Sequence, residues 1–85
     1  MNKQELPEWF TGTIYDKGEM VTNPFSGEEY KLNAKELSIY DFIIGSQYIM
    51  ELAPKTITQK NIDEFYEALK WLKEANSEAY KVLLD

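Results

Sequence analysis

The stretch Asn33–Ala53, NAKELSIYDFIIGSQYIMELA, carries both a start and a stop signal for one long helix. Asn33 is a strong N-cap residue, and Glu36 stands three positions later, where its carboxylate reaches back to the Asn33 amide. Leu32 and Leu37 flank that box at the positions of a hydrophobic staple. Pro54 cannot continue a helix and biases Ala53 away from helical angles. About twenty residues make a rod of about 30 Å. In a chain of 85 residues, such a rod forces most of the remainder to pack along it.

The apolar residues of the rod do not form a single stripe. At about 100° per residue, Leu37, Tyr40, Ile44 and Tyr48 share one side. Ile39, Ile43 and Met50 share a second. Phe42 and Ile49 lie on a third, near Ser38, Asp41 and Gly45. A helix that is apolar on several sides is packed from several sides, which predicts a central position. Gly45 costs roughly 1 kcal/mol against alanine in a helix interior. Close approach of another backbone is the expected reason for it, with a ligand contact as the secondary alternative.

Upstream the texture changes to strands and turns. Leu6-Pro7-Glu8-Trp9-Phe10 supplies a rigid proline and two large rings, which predict an anchor on the core. Thr11–Tyr15 is β-branched and aromatic and reads as a strand. Asp16-Lys17-Gly18 fits a type I turn with glycine in the left-handed position. Glu19–Thr22 reads as a second strand. In Asn23-Pro24-Phe25-Ser26-Gly27, proline takes the second turn position and Gly27 takes positive φ. Glu28–Leu32 alternates polar and apolar and reads as a third strand. The sum is a three-stranded antiparallel meander whose face of Ile14, Val21, Tyr30 and Leu32 covers the central helix.

Downstream, Thr58 is an N-cap with Ile57 and Ile62 as its staple. Ile62, Phe65, Tyr66, Leu69 and Leu72 follow helical spacing, so Gln59–Ala75 is an amphipathic helix. Trp71 lies nearly opposite that stripe, either under the C-terminal segment or exposed. Asn76 ends this helix and caps a short last one, Ser77–Leu84, whose two final leucines are expected to be buried.

Composition then bounds the class. The chain is 44% hydrophobic and 14% aromatic, enough for a core and too much for disorder. Its length predicts one domain over 1–85, with Met1–Glu5 frayed. No apolar run reaches about eighteen residues, so no membrane span is expected. The start MNKQELPEWF lacks the apolar segment of a secretory signal. The absence of cysteine removes disulfides and thiolate metal sites. Together these predict a cytoplasmic protein. Fifteen acids stand against nine basic residues, all lysine, for a net charge of −6. An acidic chain without arginine is a poor match for nucleic acid, where phosphate contacts dominate affinity, and for acidic membranes. Lysines interspersed among the acids also argue against mimicry of nucleic acid.

Candidate chemistry is sparse. Without histidine or cysteine, Ser-His and Cys-His nucleophilic schemes are excluded. Asp63 and Glu67 lie one helical turn apart and are the first candidates for a carboxylate-based metal-binding or hydrolytic site. The competing reading places Asp63 and Glu64 in the first helical turn, where acids favour the helix dipole. Glycines 12, 18, 27 and 45 are scattered and make no phosphate loop. Asn23-Pro24-Phe25 matches a tripeptide read by some endocytic adaptor domains, but the turn accounts for all three residues. No catalytic, cofactor-binding or metal-binding residue is assigned.

Three segments carry a resemblance: Asn23-Pro-Phe-Ser-Gly-Glu28, Leu37-Ser-Ile-Tyr-Asp-Phe-Ile-Ile-Gly45 and Glu78-Ala-Tyr-Lys-Val-Leu-Leu-Asp85. Together they resemble a group of small uncharacterised proteins encoded by tailed phages of marine bacteria, over about Trp9–Asp85. The resemblance implies no activity, cofactor or site residue. It implies a phage accessory protein acting in the host cytoplasm, or a minor particle component.

The expected architecture is α+β: an N-terminal three-stranded meander packed on a long central helix, an amphipathic second helix and a short C-terminal helix. The expected function is non-enzymatic binding of a host or phage protein. The alternative is the carboxylate site at Asp63 and Glu67. The central helix has more apolar surface than its expected neighbours cover, so Phe42 and Ile49 are the candidate interface. They would serve a protein partner or a homodimer, with Trp9, Phe10 and Trp71 as the competing cover.

Overall fold

The computed structural model describes residues 5–84. Of the segment Met1–Glu5 expected to fray, residues 1–4 lie outside them, as does Asp85, the last residue of the resemblance. The fold is α+β. Strands β1 (Glu19–Thr22) and β2 (Glu29–Leu32) precede helix α1 (Ala34–Leu52). A 3-10 turn over Pro54–Thr56 leads to α2 (Gln59–Ala75) and α3 (Ser77–Leu83).

The helix boundaries follow from local capping. The Asn33 side chain accepts from the Glu36 amide at 2.8 Å, and the Glu36 carboxylate accepts from the Asn33 amide at 2.9 Å. The first amides of α1 are thus satisfied reciprocally. At α2, Thr58 and Asn61 form a second box of the same kind. Asn76 closes α2, and its Oδ1 accepts from the Ala79 amide at 3.1 Å to open α3.

The sheet has two strands, not three. β1 pairs antiparallel with β2 in the register Glu19↔Leu32, Met20↔Lys31, Val21↔Tyr30 and Thr22↔Glu29. The expected strand Thr11–Tyr15 is instead a strap laid across α1. Its Tyr15 amide donates to Ser38 Oγ at 3.0 Å, so that backbone donor is spent on a helix side chain rather than a ladder. Ile14, expected on the inner face, is exposed. The Asp16-Lys17-Gly18 turn also differs. Gly27 (φ 77) is the one glycine with positive φ among the described residues, as the second turn requires. Gly18 is needed for space: a Cβ there would run into the Leu32 carbonyl oxygen and Asn33 Cα.

Two apolar clusters flank the first half of α1. One joins Ile39 and Ile43 to Phe65, Ala68 and Leu72 of α2. The other joins Leu32 and Leu37 to Ala79 and Leu83 of α3. Tyr40 and Leu84 touch both. The hairpin therefore rests largely on α3, on the same side of α1, rather than leaving α3 to cover a third side. The α2 stripe is shifted as well: Ala68 is fully buried, whereas Tyr66 is 63% exposed. Tyr66 stands about 100° round the helix from Phe65, at the edge of the packed arc. Trp71 lies neither under the C-terminal segment nor in the open. Its Nε1 donates to the Glu5 carbonyl at 2.8 Å, beneath the N-terminal strap.

Candidate interaction surface

Buried polar side chains lock the hairpin, the strap and α3 onto the N-terminal half of α1. Asn23 Oδ1 accepts from the Phe25 amide at 2.8 Å and the Ser26 amide at 3.3 Å, folding the turn around itself. Its Nδ2 donates to the Val82 carbonyl of α3 at 2.9 Å. Asn76 Oδ1 also accepts from the Tyr30 hydroxyl at 3.3 Å, and its Nδ2 donates to Glu36 Oε2 at 3.1 Å. Ser38 Oγ, holding the strap, donates to the Ala34 carbonyl at 2.8 Å. Among the described residues, every buried side-chain nitrogen and oxygen has a partner. These groups are spent on structure.

Beyond this lock α1 outruns its cover. Nineteen helical residues extend about 28 Å. Four-residue strands reach only about 13 Å, and the seven residues of α3 about 10 Å. The side of α1 that begins with Leu37, 6% exposed, continues through Ile44 at 40% to Tyr48 at 64%. Leu52 is 66% exposed and Ile49 is half-exposed beside them. Gly45 lies within this bare arc, and a Cβ there would meet no atom within 4 Å. Among the described residues no other backbone approaches it, contrary to the sequence-based expectation. The run from Phe42 to Met50 carries no charge, in a chain that is 28% charged. At one flank Phe25 projects from the hairpin turn, 98% exposed. A groove of about 570 Å³ separates it from α1, lined by Pro24, Phe25, Tyr40, Ile44 and Leu84 among others.

Phe42 and Ile49 do not form one open patch. Phe42 is half-buried under the strap, with ring centroids 5.5 Å from Trp9 and 5.6 Å from Phe10. Ile49 is open and shares with Phe42 a cleft of about 200 Å³, which also meets Met50, Ile57, Asn61 and Glu64. That volume is below the roughly 300–1,000 Å³ of small-molecule sites, and a single carboxylate faces it. The side chains that the sequence reading passed over are Tyr48 and Leu52, together with Phe25. The available signal was the uncharged run at 42–50, set against strands too short to cover it.

The carboxylate candidates lie on the open side of α2, and Glu67 shares a cleft with one other carboxylate, Glu74. Asp63 Oδ1 accepts from Gln59 Nε2 at 2.9 Å on the exposed side of α2, and Glu67 is exposed at the rim of a cleft beside Lys70 and Trp71. Among the described residues, no three acidic side chains are grouped to hold a metal ion. Two phenols are perturbed. Partial burial, and after it the Asp41 carboxylate, holds Tyr15 above its ordinary value, and burial does the same to Tyr40. No helix among the described residues is long and apolar enough to cross a membrane. Comparison with protein families, with curated proteins and with solved structures finds no match to this chain.

Proposed function

We propose that this chain is a non-enzymatic interaction protein, a phage accessory protein that binds a host or phage protein in the host cytoplasm. The observation that carries the reading is the uncharged, apolar second half of α1. There Ile44, Tyr48, Ile49 and Leu52 face solvent past the end of the hairpin and α3. Contiguous exposed apolar surface of this kind marks interaction sites more often than it is left bare. The resemblance carried by residues 23–28, 37–45 and 78–85 supports the phage setting. The acidic charge and the lack of arginine support a protein rather than a nucleic-acid partner.

The test is capture from phage-infected cells with the wild-type chain and with Tyr48→Glu/Leu52→Glu. Both substitutions fall on exposed positions, so circular dichroism is expected to show an unchanged fold. The reading requires a protein retained by the wild type and lost by the variant. Identical retention by both would overturn it.

A further inference from the structure

We propose that the cleft between the N-terminal strap and the open side of α2 binds an organic cation, a quaternary or N-methylated ammonium head group, between the indoles of Trp9 and Trp71. The cleft shares no residue with the bare half of α1, so this site goes beyond the interaction reading and is tested apart from it.

The cleft holds about 150 Å³ and is lined by Pro7, Trp9, Glu67, Lys70, Trp71 and Glu74. Both tryptophans of the chain are among these residues. Each indole is positioned by the fold itself. The Phe10 amide donates to the Pro7 carbonyl at 3.0 Å, closing a turn with Trp9 inside it. The Trp9 ring packs on Phe42, with centroids 5.5 Å apart. Trp71 Nε1 donates to the Glu5 carbonyl at 2.8 Å. Side chains ordered in advance spare a ligand the entropy of ordering them. Both tryptophans are nonetheless only half-buried, so aromatic surface remains open at the cleft. Among the described residues, the lysine seated over a ring is Lys73, 5.7 Å from the centroid of Tyr80, and no lysine is seated over either indole.

Charge selects the ligand. Glu67 lies four residues before Trp71 and Glu74 three after it, a spacing that sets both carboxylates on the Trp71 side of α2. Both are exposed. Two carboxylates against the single ammonium of Lys70 leave the cleft net negative, in a chain of net charge −6. A negative cleft favours a cation, and indole is the side chain that binds one best through its face. The walls then decide which kind of cation. The indoles and the Pro7 ring offer no acceptor to replace the water around a metal ion or a primary ammonium, whose desolvation is costly. Two carboxylates also fall short of the roughly six to eight oxygen ligands that calcium takes. A methylated ammonium needs no such acceptors. It presents apolar methyl groups to the rings while the exposed carboxylates balance its charge. The volume is below the roughly 300–1,000 Å³ of drug-sized sites, so it suits one compact head group.

The test uses the full chain with choline as the probe. The control is its neutral isostere, in which carbon replaces the ammonium nitrogen, with sodium chloride matching ionic strength. Because both tryptophans line the cleft, intrinsic fluorescence reports on it directly. Choline is expected to change the emission saturably, whereas the isostere and the salt leave it unchanged. Glu67→Gln/Glu74→Gln falls on exposed positions and is expected to weaken choline binding on the order of fivefold. Lys70→Gln is expected to tighten it by about twofold. No saturable change with choline, or an equal change with the isostere, would overturn the cation site. Choline binding that ignores all three charge substitutions would overturn its placement in this cleft.

Discussion

Glu36 Oε2 accepts a hydrogen bond from Asn76 Nδ2 at 3.1 Å, and this one contact ties the start of α1 to the start of α3. Each partner also serves a cap of its own: Glu36 holds the Asn33 amide, and Asn76 holds the Ala79 amide. Glu36 is buried, so the caps stand inside the fold rather than on its surface.

Removing these groups separates cap from joint. Asn33→Ala is expected to cost about 1 kcal/mol, the usual value of an N-cap. Glu36→Ala strands both the Asn33 amide and the Asn76 side chain and is expected to cost more, about 2–4 kcal/mol. Urea melts measure both. Equal losses would mean that the Glu36–Asn76 bond contributes nothing beyond the cap.

Gly18 and Gly45 are expected to respond to alanine with opposite signs. At Gly18 the new Cβ collides with the Leu32 carbonyl and the Asn33 backbone, so the turn must shift and the melting temperature falls. At Gly45 the Cβ enters open space, and the helix gains roughly 1 kcal/mol. Melting curves at concentrations too low for association compare the two directly, and a loss at Gly45 would show a contact within the chain.

Stability is expected to decline in alkali. Phenols in the unfolded chain ionise near about pH 10, whereas folded Tyr15 and Tyr40 hold their protons to higher pH. The folded state then binds more protons than the unfolded one. Stability is whole below about pH 10 and is lost as pH rises toward the folded values. Asp41→Asn removes the charge beside Tyr15 and is expected to shift its tyrosinate absorbance to lower pH. An unchanged titration would separate Asp41 from Tyr15.

No metal is expected to support the fold. Asp63 is engaged with Gln59, and a hard cation such as calcium needs about six to eight oxygen ligands. Chelator should leave the melting temperature unchanged, and a clear drop would revive the carboxylate site.

What is local in this fold is legible in the sequence. The caps at Asn33, Thr58 and Asn76 act over three residues, and their side chains advertise them. What depends on distant partners is not. Thr11–Tyr15 has strand composition, but Ser38, 23 residues away, takes its Tyr15 amide. Trp71 is claimed by Glu5 across 66 residues. Gly45 reads as a packed glycine because helical periodicity reports which sides are apolar, not how far along the rod the cover extends. The same limit set Phe42 beside Ile49 as one open side, since the aromatic strap over Phe42 rests on contacts 32 and 33 residues apart in the chain.

Hydroxyl-radical footprinting with and without the protein captured from phage-infected cells is the most direct measurement of whether the bare half of α1 is a contact surface. Tyr48 and Tyr66 serve as probe and reference, at 64% and 63% exposed in the single chain. On binding, modification of Tyr48 should fall while that of Tyr66 holds steady. Unchanged reactivity of Tyr48 in the bound chain would contradict it.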